Sequence, residues 1–266
     1  MTTGDAATRA RAAGETDAPQ ARGAVTPPVA LVTGASKGIG RAITAGLAEQ
    51  GYIVYLGARN GARGQAAAAE LAAAGDVRFL QLDVTSQAEI EAAVGTIAAR
   101  HGYLDALVNN AGVSTSSGRA LDHPPTPREE TAGDFRFVYE TNVFAVVAMT
   151  HAFLPLLMAS AAGRIVNVTS KRGSIGEEGA WVGQPDMAYS SSKTALNAVT
   201  VHYARELATT TVKVNGAAPG HVATGFNGFR GTRTPAEGAA VAIWLATLGA
   251  DGPTGAVFED STQLAW

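Results

Sequence analysis

No cysteine occurs among the 266 residues, which excludes a disulfide framework, a thiolate nucleophile and any cysteine-held metal. The five histidines, at 101, 123, 151, 202 and 221, lack metal-ligand spacing, so no metal site is expected. Net charge is only −3 with a pI near 6.0, and no basic cluster is longer than Lys171-Arg172. That leaves no polyanion-binding surface and argues against nucleic acid as a partner. Apolar stretches are strand-length or broken by polar residues, so none is expected to reach the roughly 18–20 residues that span a bilayer. Large apolar side chains are scarce in residues 1–27, which offer too little burial to offset the entropy of ordering. No apolar core of a secretory signal follows the arginines there, and Asp5, Glu15 and Asp17 argue against a transit peptide. Residues 1–27 read as a disordered leader, 28–266 as a single domain, and the compartment as the cytoplasm.

What the chain does have is alternation. Strand-like runs at 29–33, 53–58, 78–82, 106–109, 164–169, 212–215 and 256–259 are separated by alanine-rich helical windows near 39–50, 62–74, 86–100, 133–160, 187–209 and 235–248. Several strands are continuous Val/Ile/Leu runs, as strands covered on both faces must be. The pattern predicts an α/β fold of Rossmann type, a doubly wound parallel sheet of about seven strands with helices on both faces. Ligands in such sheets bind beyond the carboxyl ends of the strands, and Gly34, Asp83, Asn110, Ser170 and Pro219 all follow strand ends.

Tyr189 and Lys193 stand four apart in AYSSSKTALNAVT, a spacing that puts them on one helix face. An unperturbed phenol titrates near ~10, and a fixed ammonium close by favours the phenolate, so Lys193 is expected to make Tyr189 a usable acid. Ser170 ends the run IVNVTS and can give a second hydrogen bond to the same oxygen. Upstream, LVTGASKGIGR carries an apolar strand into a turn with Gly34, Gly38 and Gly40 that opens a helix. Glycines allow a tight turn and close approach of a pyrophosphate, while free N–H groups at the helix start supply donors and positive dipole.

These residues resemble the short-chain dehydrogenase/reductase family, whose signature is T-G-x-x-x-G-x-G, here Thr33 to Gly40, with a later Ser170 and Y-x-x-x-K, here Tyr189 and Lys193. Asp83, Asn109-Asn110-Ala111-Gly112, Asn142 and Pro219-Gly220 follow the family's order along roughly 28–266. The resemblance implies an NADP-dependent oxidoreductase. Its cofactor turn would be Gly34, Ser36, Lys37, Gly38, Ile39 and Gly40. Asp83 and Val84 would contact the adenine, and Asn110, Ala111 and Gly112 would line the groove. Pro219, Gly220, Val222 and Thr224 would hold the nicotinamide side. It further implies that Lys193 grips the nicotinamide ribose and that Asn142 positions a water behind it. Asn109 is expected to tie neighbouring strands.

NADP(H) rather than NAD is expected because Ala58 fills the slot where NAD enzymes place an acid. Arg59 beside it and Lys37 in the glycine turn could flank a 2′-phosphate. Reduction of a ketone or aldehyde is the leading reading, with oxidation of a secondary alcohol at the same site, or a non-catalytic nucleotide-binding scaffold, as alternatives. The segments 171–188 and 221–238 are expected over the site, with Trp181, Met187, Phe226 and Phe229 as apolar walls. The C-terminal third is similar in character to the carbonyl-reductase-like branch of the family. Its members are often monomers, because an insertion before the tyrosine covers an association face; that insertion is short here, so monomer and homo-oligomer both remain open.

Overall fold

A computed structural model of the protein describes residues 26–117, 125–183 and 185–266; the leader lies outside these apart from its last two residues. Eight strands form one sheet: β1 (Val29–Val32), β2 (Ile53–Ala58), β3 (Val77–Gln81), β4 (Ala106–Asn109), β5 (Arg164–Val168), β6 (Lys213–Ala218), β7 (Val257–Glu259) and β8 (Thr262–Gln263). Their order is β3-β2-β1-β4-β5-β6-β7-β8. The first seven are parallel and β8 returns antiparallel on β7. The direction of winding reverses between β1 and β4, the crevice where such sheets bind ligands.

Pleating sends alternate side chains of each strand to opposite faces. Ala30, Val32, Val54, Leu56 and Val108 face a core shared with α1 (Gly38–Glu49), α2 (Gly61–Glu70) and α7 (Pro235–Ala246). Val29, Leu31, Tyr55, Leu107 and Ile165 face the other, built with α3 (Gln87–Arg100), α5 (Ala145–Ala159) and the far end of α6 (Met187–Glu206).

The window expected as one helix over 133–160 is two, α4 (Ala132–Tyr139) and α5, joined by a π-helical turn at Glu140–Phe144. The wide turn turns Asn142 fully inward. One sequence expectation is corrected here: the continuous helical run Ala132–Ala159 holds an 18-residue window of mean hydropathy 1.8, long and apolar enough to cross a membrane by length and composition. In this fold half of that apolar window is buried, and Met149, Phe153 and Leu157 pack into the second core.

Asn109 on β4 and Asn167 on β5 are register partners, and Asn109 Nδ2 donates to Asn167 Oδ1 at 2.9 Å. Asn167 Nδ2 in turn donates to Thr200 Oγ1 on α6 at 2.9 Å. All three are buried, so the chain of bonds ties two central strands to α6 where water cannot compete. Asn167→Ala leaves the Asn109 amide short of its best partner, and a loss of about 1–3 kcal/mol is expected in chemical denaturation. An unchanged denaturation midpoint would show that the network carries no stability.

Candidate active site

The turn after β1 is bolted to the turn after β4. Thr33 Oγ1 donates to Val108 O at 3.3 Å and accepts the N–H groups of Asn110 and Ala111, each at 3.0 Å. Asn110 Nδ2 donates to Thr33 O at 2.8 Å. Gly34 and Gly38 have φ of +62° and +58°, the left-handed region that favours glycine. A Cβ on Gly34 would lie 2.9 Å from Ala111 Cα, and one on Gly38 3.3 Å from Thr224 Cγ2. Gly40 is needed for room rather than for φ, since its Cβ would collide with the Asn110 amide and lie 2.8 Å from Gly34 O. Each glycine of the turn is thus matched to another expected site residue. Helices α2, α3, α4, α6 and α7 start with side-chain caps from Asn60, Ser86, Thr131, Asp186 and Thr234. Helix α1 starts at Lys37 without one, which leaves its first N–H groups without a capping side chain among the described residues. A cradle that any Cβ would fill and uncapped donors at a helix start suit a pyrophosphate. Gly40→Ala is expected to lower the melting temperature by the equivalent of about 1–3 kcal/mol of overpacking and to blunt stabilisation by NADPH. Normal thermal stabilisation by NADPH in that variant would contradict the cradle.

Arg59, directly after β2, is exposed, as is Lys37, and no side-chain partner holds the Arg59 guanidinium among the described residues. Both cations are available to a phosphate. Asp83 is half-buried, and its Oδ1 accepts both Thr85 N at 3.0 Å and Thr85 Oγ1 at 2.7 Å, while Val84 is buried beside it. Ser36, Ile39, Ala111 and Gly112 are partly exposed along the turns. Across the crevice, Pro219 and Gly220 follow β6. Val222 and Thr224 are buried, Val222 O accepts Asn227 Nδ2 at 3.0 Å, and Thr224 Oγ1 accepts Phe226 N at 3.3 Å.

Ser170 follows the end of β5, and its hydroxyl stands near enough to the Tyr189 phenol to pull its pKa down. Tyr189 and Lys193 lie on the first turns of α6, with Lys193 Nζ 5.7 Å from the centre of the Tyr189 ring. That ammonium donates to Val168 O at 2.8 Å, at the end of β5. Burial pushes Lys193 down to about 8. The expectation that Lys193 lowers the tyrosine is corrected by this geometry. Loss of solvation pushes the Tyr189 phenol above its ordinary value, against downward pulls from the Ser170 hydrogen bond and Arg172, and Asp186 pushes it further up. Lys193 gives its hydrogen bond to Val168 O rather than to the phenol, and loss of solvation is the largest influence on Tyr189.

Asn142 Oδ1 accepts Val113 N at 2.9 Å, and its Nδ2 donates to Val113 O at 2.9 Å and to Ser192 Oγ at 3.0 Å. Its side chain therefore holds the loop after β4 against α6, with Gly112 between it and Lys193: a Cβ on Gly112 would lie 3.4 Å from Asn142 Oδ1 and 3.7 Å from Lys193 Nζ.

The expected walls divide. Phe226 packs on Tyr189 with ring centres 5.7 Å apart, and Phe229 is 72% exposed at φ +60°. Trp181 and Met187 instead line a cleft of about 600 Å³ on the outer side of α6, with Ser190, Ser191, Thr194 and Trp266. Glu177 ties the chain end, accepting Ala265 N at 2.8 Å. Arg172, in the segment expected over the site, acts on the Tyr189 phenol. One group at the site was not anticipated: Asp186 caps α6 through Tyr189 N at 3.0 Å. An acid directly before Met187, the first residue of the helix, was the available signal for Asp186.

Comparison with known proteins gives a consistent set. Residues 28–234 match the family model described as short chain dehydrogenase. Short-chain dehydrogenase anuI of Penicillium roqueforti is 38% identical over 238 residues, 85% of this chain and 91% of that protein. Carbonyl reductase (NADPH) 1 of Rattus norvegicus is 32% identical over 287 residues, covering 90% and 98%. The solved structure of NADPH-bound carbonyl reductase from chicken fatty liver superposes with a TM-score of 0.80 at 27% identity, covering 91% of this chain and 100% of that one.

Proposed function

The chain belongs to the short chain dehydrogenase family, and from that membership we propose that it is an NADPH-dependent reductase of ketones or aldehydes whose proton donor is Tyr189. The observation that carries the reading is that Ser170, Tyr189 and Lys193 stand together at the sheet edge that also bears the glycine turn. The relatives named for NADPH and carbonyl reduction support the cofactor and the direction.

NADPH bound in the crevice would supply a hydride to the carbonyl carbon. Gly34, Ser36, Lys37, Gly38, Ile39 and Gly40 would hold its pyrophosphate, and Arg59 with Lys37 its 2′-phosphate. Asp83 and Val84 would meet the adenine. Asn110, Ala111 and Gly112 would line the middle, and Pro219, Gly220, Val222 and Thr224 the nicotinamide end. Tyr189, kept protonated by burial, holds its proton at the hydroxyl and gives it to the substrate oxygen as charge builds there. Ser170 donates a second hydrogen bond to that oxygen, a preorganised donor where negative charge develops. Lys193 keeps its charge below about pH 8. It is proposed to hold the ribose, and Asn142 to order the water that returns a proton to the site. Residues 28–266 are proposed as one catalytic domain preceded by a leader, with a small-molecule carbonyl compound as partner. Loss of NADPH absorbance over a panel of ketones and aldehydes, with NADH in parallel, tests the reading. Turnover with none of them would refute it.

A further inference from the structure

The start of α6, three residues before Tyr189, is held by a carboxyl pair that this account of the reaction leaves unused. Asp186 Oδ1 accepts Tyr189 N at 3.0 Å and the Thr115 hydroxyl at 2.7 Å. Thr115 Oγ1 also lies 3.0 Å from Glu130 Oε1, and Glu130 Oε2 accepts Ala188 N at 2.9 Å. Both carboxyls reach the one Thr115 hydroxyl, which puts Glu130 and Asp186 side by side. One hydroxyl hydrogen cannot serve two carboxylates, and two ionised carboxylates have no donor to place between them. One extra proton satisfies the whole set, making a carboxylic acid that donates to its ionised neighbour. Thr115 is fully buried and the two acids are half-buried, so repulsion between two charges there would not be screened as on an open surface.

We propose that Glu130 and Asp186 share one proton and act as a positioning pair, fixing the first turn of the helix that carries Tyr189 to the loops after β4 and before α4. This rests on Tyr189 being the acid of the proposed reduction. The helix start favours one negative charge, and Asp186 in the cap position supplies it. Glu130 is the proton's natural holder. Burial pushes its carboxyl above the usual range and the neighbouring Asp186 adds to this, against the pulls of the Ala188 and Thr115 hydrogen bonds. Around the pair, the loop after β4 contributes only the Thr115 hydroxyl among the described residues. Helix α4 brings Asp134, whose carboxylate is engaged by Thr131 N and Oγ1 at 2.8 Å, and α6 brings Tyr189, with Arg172 beyond it.

A carboxyl raised in the folded state contributes stability that is complete below its unfolded value and lost as pH rises through its folded value. Rising pH should therefore put two charges at the start of α6, loosen that turn and lower kcat before the affinity for NADPH changes. Glu130→Gln places an amide N–H where the acid's proton sits and keeps an oxygen for Ala188, so it mimics the protonated form at every pH.

The test follows kcat, by NADPH oxidation, and melting temperature as pH is raised from the ordinary carboxylate range upward, for wild type, Glu130→Gln and Glu130→Ala. In wild type both should fall through a shared one-proton step, with kcat declining about tenfold per pH unit beyond it. In Glu130→Gln that step should vanish from both readouts, leaving the step of Lys193. Glu130→Ala should turn over slowly even at neutral pH, and glutamine should rescue it. An unchanged pH step in Glu130→Gln, or a normal neutral rate in Glu130→Ala, would overturn the pair. Should no carbonyl be turned over, the melting curves still decide. A pH step present in wild type and absent in Glu130→Gln upholds the shared proton while the reductase reading fails; the same step in both refutes the shared proton.

Discussion

Tyr189→Phe is expected to lower kcat by about 10²–10⁴-fold, the usual contribution of a positioned general acid. Removing one oxygen changes little else. Phenylalanine keeps the ring that packs on Phe226 and the helix position capped by Asp186, so the fold should survive. NADPH binding should be nearly untouched, because the cradle is made of the turns after β1, β4 and β6. A loss confined to kcat identifies an interaction made in the transition state. If the variant turned over at a near-normal rate, or lost NADPH affinity in proportion to its rate, Tyr189 would not be the proton donor.

Arg59→Ala is expected to weaken NADPH by about 1.5–3 kcal/mol, a tenfold to hundredfold rise in Kd, while NADH changes little. The contrast follows from chemistry: only NADPH carries a phosphate at the ribose 2′ position, and the exposed Arg59 guanidinium has no side-chain partner to release among the described residues. Lys37 should hold part of the charge, so binding weakens without being abolished. Fluorescence titration of both cofactors measures the difference directly, and equal losses for the two would remove Arg59 from the 2′-phosphate site.

Much of this architecture was legible in the residues. The seven parallel strands were expected within a few residues of where they lie, because strands buried on both faces leave continuous Val/Ile/Leu runs, as in VALV and RIVNV. Strand β8 is two residues long, too short to carry a period. The π turn at Glu140–Phe144 carries Asn142, whose bonds to Val113 are made across the fold, and local helix propensity does not reveal such a contact. Polar residues such as Asp134, Arg136, Glu140 and Asn142 interrupt the apolar stretches of 132–159, yet α4, the π turn and α5 follow one another as one continuous helical run.

At the site, the grouping of Ser170, Tyr189 and Lys193 followed from strand ends and helical spacing. The direction of the tyrosine's shift did not. Spacing places a cation near a phenol, but only the fold decides that Lys193 turns to Val168 O and that burial of the phenol dominates. Likewise Trp181 and Met187 could be assigned to the loop before Tyr189 but not to a side of α6. The carboxyl pair joins residues 58 and 71 positions apart to the start of α6, beyond the reach of any local pattern.

The central claim is that this crevice passes hydride from NADPH to a carbonyl carbon while Tyr189 protonates the oxygen. NADPH deuterated at the transferable position of nicotinamide C4, incubated with the carbonyl panel and followed by mass spectrometry of the products, tests it most directly. The account predicts an alcohol carrying one deuterium on the former carbonyl carbon, formed by wild type and nearly absent with Tyr189→Phe. Tight NADPH binding with no deuterium in any product, or equal labelling by the two proteins, would contradict it.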